Sequence, residues 1–159
     1  MTIDATMVQK LARQVLIHGL LLVLVGLLWG FAVPLTPYPR LALGAHIQFV
    51  TNGLLILVMA VLLLKLPHHV GRNSARVMLL SAWLTWPMAL SEAANAWWGT
   101  NQMLPIAAGQ AAATGGVAWQ ETVAKLTHLA AGLDLTIAWG LLGMGFVRSR
   151  THENFSENT

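Results

Sequence analysis

The run "RLALGAHIQFVTNG", Arg40 to Gly53, carries polar groups that apolar surroundings penalise: a histidine (His46), a glutamine (Gln48) and an asparagine (Asn52). Neutral imidazole binds iron well, and one histidine suffices as the axial ligand of a haem. An amide can orient a polar group or simply tie two membrane helices together. Further along, "LTWPMALSEAANAWWG" adds Glu92 and Asn95, and "WQETVAKLTH" adds Glu121, Lys125 and His128 at i, i+4 and i+7. A carboxyl in apolar surroundings must be protonated or paired, whereas Glu121 and Lys125 have the spacing of a helical ion pair. The chain has no H-x-x-x-H pair, phosphate-binding glycine loop or Ser-His-Asp candidate outside its apolar segments. With no cysteine, disulfides and thiolate metal sites are excluded.

The elements around these groups are apolar. The 159 residues are 56% hydrophobic and 9% charged, whereas an ordinary soluble domain has about a quarter charged residues. Four segments have the roughly 20-residue length a helix needs to cross a bilayer: about 15–33, 41–64, 77–99 and 117–147. The first two are almost free of charge; the third holds Glu92 and the fourth Glu121, Lys125 and Asp134. "PLTPYPR", "LPHHVGRN" and an uncharged loop, "NQMLPIAAGQAAATGGVA", connect them. The expectation is an all-α, integral-membrane four-helix bundle. It forms a single domain, 1–150, followed by a polar tail, 151–159. The opening "MTIDATMVQK" does not read as a cleaved signal peptide.

The net charge is +3, but the basic residues cap apolar runs, a pattern of membrane orientation rather than nucleic-acid binding. Lys10, Arg13, Lys65, Arg72, Arg76, Arg148 and Arg150 fall on one side and only Arg40 on the other, so both termini are expected in the cytoplasm. Trp29, Tyr38, Trp97, Trp98 and Trp119 then gather at the outer interface. His46 lies roughly 8 Å inside the outer end of its helix. Asn52 lies near the middle, with Glu92, Asn95, Glu121, Lys125 and His128 in the outer half. Such a layer of ionisable and polar groups usually marks function.

At about 100° per residue, Gln48 and Asn52 share a face, while His46 points roughly 160° from Gln48 and 120° from Asn52. Both sides of this helix need protein cover. One faces the bundle and the other requires a neighbouring chain, so a homo-oligomer is expected. "GLLWG" adds a GxxxG spacing at Gly26 and Gly30, which permits close helix contact.

"LIHGLLLVLVGLLWGF", "PRLALGAHIQFVTNGLLIL", "GTNQMLPIAAG" and "WQETV" resemble the small membrane hydroxylaminobenzene mutases. The His-x5-Asn-Gly of "HIQFVTNG" more distantly resembles the styrene oxide isomerases. The resemblance runs from about Leu16 to Phe146 and is most specific over Pro39–Gly53. It implies a trimer with haem b between neighbouring chains, with His46 as axial ligand and Asn52 at the substrate pocket. Arg40 and Gln48 are assigned with His46 to the cofactor site, and Glu92 and Asn95 join Asn52 as catalytic candidates. Glu92 is a candidate for proton transfer or cation stabilisation that the resemblance does not supply. The implied reaction is a redox-neutral rearrangement of an arylhydroxylamine to an ortho-aminophenol, with ferric haem as Lewis acid, in the bacterial inner membrane. The resemblance also leads one to expect an aromatic and an asparagine near the middle of the third helix. Here Pro87, expected to kink that helix, and the later Glu92 and Asn95 alter the pocket. An aryl epoxide isomerase, a bis-histidine cytochrome using His46 with His18 or His128, and a proton-coupled transporter using Glu92 or Asp134 are the competing readings.

Overall fold

The computed structural model describes residues 3–156, and their side chains from 5 to 148. Helix α1 spans Ile3–Ala32 and ends in a short 3-10 turn, Val33–Leu35; α2 spans Pro39–Lys65, α3 Arg72–Trp98, α4 Pro105–Gln110 and α5 Ala118–Ser156. No strand occurs among the described residues. Three helices are long and apolar enough to cross a membrane, over Ala5–Leu35, Pro39–Lys65 and Ala118–Arg148. Helix α3 has the length, 27 residues, but its Ser, Thr, Glu and Asn side chains dilute its apolar character. Pro87 lies inside it without ending it.

The helices outrun their expected limits for local reasons. Nothing between Ile3 and Gln14 breaks a helix, and Val8, Ala12 and Val15 at i, i+4 and i+7 bury one face, so α1 begins well before residue 15. Pro39 starts α2 at the position where its missing N–H costs nothing. Helix α5 runs through residues 151–156 of the expected tail; at 39 residues it is about 58 Å long and must project beyond a bilayer core of about 30 Å. The short α4 divides the loop that sequence left irregular.

Glycines set the α1–α2 contact. A Cβ on Gly19 would lie 2.8 Å from the Leu57 nitrogen, and one on Gly53 would lie 2.8 Å from the Val23 nitrogen. Gly26 admits Phe49 and Val50 in the same way, and Gly30 admits the His46 ring. The backbones meet as closely as small residues permit. The GxxxG glycines thus serve a contact inside one chain.

Helix α3 packs against α1, α2 and α5. Its joint with α5 is hydrogen-bonded: Ser81 donates to Asp134, the Ser91 and Thr127 hydroxyls lie 2.8 Å apart, and Glu92 faces His128. Its left-handed C-cap, Gly99 (φ 63°), sits against Tyr38, where a Cβ would meet the ring at 2.8 Å. Trp29–Trp97 and Trp98–Trp119 ring pairs cluster at the same end. The opposite end holds Lys65, Arg72 and Arg76, closed by Val8, Leu63, Val70 and Leu142.

Candidate functional site

Helix α2 presents three sides. His46, Val50 and Gly53 face α1. Ala45, Phe49 and Ile56 pack in one core cluster with Ala82, Ala89 and Ala93 of α3. Gly44, Gln48, Asn52 and Leu55 share the remaining side, where α2 and α5 both lean on α3 without packing closely on each other. A groove of about 520 Å³ opens there, lined by Leu55, Gly132, Leu135, Thr136 and Trp139. A Cβ on Gly132 would meet open space, and the buried Trp139 Nε1 lacks a hydrogen-bond partner.

The His46 ring is held in one tautomer. Its Nδ1 lies 2.8 Å from the Gly26 carbonyl oxygen, which can only accept, so Nδ1 carries the proton and donates. In the neutral ring Nε2 then holds the lone pair, and it has no partner among the described residues. A backbone carbonyl orienting the far nitrogen is the usual support of a metal-bound histidine. No group of three or more His, Cys, Asp or Glu side chains able to hold a metal ion occurs among the described residues. One imidazole therefore fits a metal that brings its own donors, as haem does.

Asn52, 9% exposed, spends both amide hydrogens on Gln48, donating to its carbonyl oxygen at 2.9 Å and to its Oε1 at 2.7 Å. The backbone acceptor fixes the orientation of the Asn52 amide. Asn52 Oδ1 and the Gln48 side-chain amide nitrogen remain for another molecule. Gln48 thus belongs with Asn52, away from the His46 side.

Glu92 is 1% exposed and His128 8%. His128 Nδ1 donates to the Ala124 carbonyl at 2.7 Å, and its Nε2 lies 3.4 Å from Glu92 Oε2. That contact has ion-pair distance without hydrogen-bond geometry, so His128 Nε2 and Glu92 Oε1 are both buried with no hydrogen-bond partner. With Nδ1 fixed as a donor, Nε2 can face the carboxyl favourably only if one proton lies between them. The pair is then neutral as a unit, which apolar surroundings tolerate.

The other sequence-predicted groups are engaged elsewhere. Asn95 Oδ1 accepts from the Thr100 N–H at 2.6 Å and hydroxyl at 2.7 Å, closing the end of α3. Arg40 Nε donates to Gln110 Oε1 at 2.7 Å, tying α2 to α4. Glu121 and Lys125 form no direct pair. The Glu121 carboxylate accepts from the backbone of Asn101, Gln102 and Gly116 at 2.9, 3.1 and 3.0 Å, and Lys125 reaches Gln102 at 3.3 Å. Trp86 donates to His18 at 3.0 Å. His46 faces α1 and His128 faces α3, so one chain does not join them as two axial ligands. The dyad of Glu92 and His128, split between two helices, escaped sequence reasoning. Its only signal was the shared depth of the two residues.

The long apolar helices fit a multi-pass membrane protein, with a lone oriented imidazole on one side of α2 and an apolar groove on the other. The styrene oxide isomerase family matches residues 11–147, and the chain belongs to that family. It is 30% identical over 138 residues to the hydroxylaminobenzene mutase HabB of Ectopseudomonas oleovorans, covering 82% of this chain and 81% of the relative. It is 34% identical over 95 residues to HabA of the same organism, also a hydroxylaminobenzene mutase, covering 58% and 68%. These relatives are isomerases and mutases, and the chain is an enzyme of that kind. No solved structure matches it.

Proposed function

We propose that this enzyme rearranges an arylhydroxylamine to an ortho-aminophenol without net redox change. In this reading α3 is a fourth span of an inner-membrane bundle with both termini cytoplasmic, and haem b is held by His46. The observation that carries it is the His46 ring, whose proton is committed to the Gly26 carbonyl and whose Nε2 is left to bind iron. Haem, held there by His46, would supply a Lewis-acidic iron able to polarise an N–O bond. The mutase names of the relatives favour the arylhydroxylamine over an aryl epoxide.

The chain's residues bind and orient. Asn52 Oδ1 accepts from the substrate's N–H or O–H, and Gln48 holds the Asn52 amide in place. The apolar groove of Leu55, Leu135 and Trp139 takes the ring and excludes water. His46 and this groove flank an exposed apolar strip of α2, Leu43, Ile47, Leu54, Val58 and Val61. A second copy covering that strip brings the His46 side of one chain to the groove of the next, and a ring of three closes it.

The test is a spectrum and a turnover. Purified protein should show a ferric haem band that shifts with added ligand, and should convert an arylhydroxylamine to the ortho-aminophenol with no reductant. His46→Ala should lose the haem. Unchanged haem in His46→Ala, or turnover needing reductant every cycle, refutes the reading.

A further inference from the structure

At the basic end of the bundle a cavity of about 590 Å³ opens between the start of α1 and the α2–α3 loop, within the size range of ligand pockets, about 300–1,000 Å³. Its loop wall is pinned. His68 Nδ1 accepts from the Val70 N–H at 3.1 Å, so its Nε2 carries the proton and donates to the Leu63 carbonyl at 2.9 Å. The His69 N–H donates to the Gly145 carbonyl at 3.1 Å, and Val70 fills the space that Gly145 leaves on α5. The loop is thus fastened to α2 and to α5, and the cavity beside it stays open. Two cations line it, Lys65 and Arg72, and no carboxylate does. Both are exposed, and neither has an ion-pair partner among the described residues. Beside them the wall is apolar, with Val8, Leu64, Leu66 and Pro67.

Depth decides what such a cavity meets. Lys65 ends α2 about 36 Å along the helix from Leu41. A bilayer core is about 30 Å thick, so Lys65 stands roughly 6 Å beyond it, in the head-group layer. We propose that this cavity binds the phosphate head group of an anionic phospholipid, held by Lys65 and Arg72. The forked guanidinium of Arg72 matches two phosphate oxygens, and Lys65 adds a compact charge. Basic pockets at this level are where membrane proteins take acidic head groups. The glycerol and the upper part of a tail lie against Leu64 and Leu66. A free phosphate has the same charge but would leave that apolar wall uncovered. The inference needs only that α2 crosses the membrane, and it is independent of the molecule the enzyme rearranges.

Cations at the ends of membrane helices also set orientation, so the test compares cations inside and outside the cavity. Delipidated full-length protein in detergent is titrated with phosphatidylglycerol, phosphatidylcholine or inorganic phosphate, and the thermal midpoint is followed. Phosphatidylglycerol should raise the midpoint to a plateau, whereas phosphatidylcholine and inorganic phosphate should leave it near its starting value. One cation beside an anionic head group is worth about fivefold in affinity. Lys65→Gln and Arg72→Gln should therefore each need about fivefold more phosphatidylglycerol for the half-maximal shift. Arg148→Gln, at the same end of the bundle but outside the cavity, should need no more than wild type. Gly71→Leu keeps both cations and adds a side chain in open space at the edge of the cavity, and it too should weaken the response. Equal stabilisation by the two lipids overturns the proposal. So does an Arg148→Gln loss as large as that of Lys65→Gln, the mark of diffuse surface charge. A full shift from inorganic phosphate alone assigns the cavity to a free anion and overturns the lipid. Exposed substitutions of this kind leave folding intact as a rule; if the two cation variants do not fold, Gly71→Leu decides alone, and a wild-type response in it overturns the proposal.

Discussion

Mixing two dead variants distinguishes a site shared between chains from one built within a chain. His46→Ala removes the imidazole that faces α1; Asn52→Ala removes the amide on the other side of α2. Asn52→Ala should keep its haem, because the Asn52 amide bonds only Gln48 and points about 120° from His46. Its turnover should fall by roughly a hundredfold to a thousandfold, the usual loss for one donor or acceptor aimed at developing charge, about 2.7–4 kcal/mol. In a closed ring each site takes His46 from one chain and Asn52 from the next. Any three-membered ring holding both variants, in either ratio, contains one junction where an intact His46 meets an intact Asn52. Co-expression with two different tags, followed by purification through both, isolates such rings. Their aminophenol production should recover to about one third of wild type. A site contained within one chain has no intact copy in these rings, so recovery no greater than the Asn52→Ala background refutes the shared site.

The α1–α2 contact predicts a sharp contrast between glycines. Gly53→Leu drives a side chain into the Val23 backbone and should destabilise by about 1–3 kcal/mol or more, whereas Gly143→Leu on α5, where a Cβ meets nothing, should leave the thermal midpoint near wild type. Gly132→Leu should fold normally and keep haem but raise KM several-fold by filling the groove; an unchanged KM would place the substrate elsewhere. A reporter fused after Arg150 should be cytoplasmic and one inserted at Ala112 periplasmic, and the reverse would discard the orientation drawn from the basic residues.

What sequence made legible was whatever depends on neighbours within one helix. The two least charged spans, the shared side of Gln48 and Asn52, the separate side of His46 and the gathering of the tryptophans at one end all follow from hydropathy and a period of 3.6 residues. What it hid depends on partners far along the chain. Asn95 looked like a pocket residue until Thr100 folded back on it. Glu121 has Lys125 one turn away, yet three backbone N–H groups from two loop segments outcompete that neighbour. Arg40 spends its Nε on Gln110, 70 residues away. The contribution of Gly19 is invisible because it fits no short motif, and the His-x5-Asn-Gly motif that contains Gly53 does not name its partner on α1; only the approach of two backbones reveals why no side chain is there.

That approach also bears on how the protein is made. Helices α1 and α2 are adjacent in the chain, joined by a short turn, and meet glycine against backbone. Their joint needs no residue from beyond Lys65, so the hairpin can close in the membrane while the remainder is still being synthesised. The Gly26 carbonyl and His46 both lie inside that hairpin. The His46 face is therefore finished first, whereas the Asn52 side waits for α3 and α5. In the proposed reading, a nascent chain thus acquires its place for a prosthetic group before it has any cavity for a substrate.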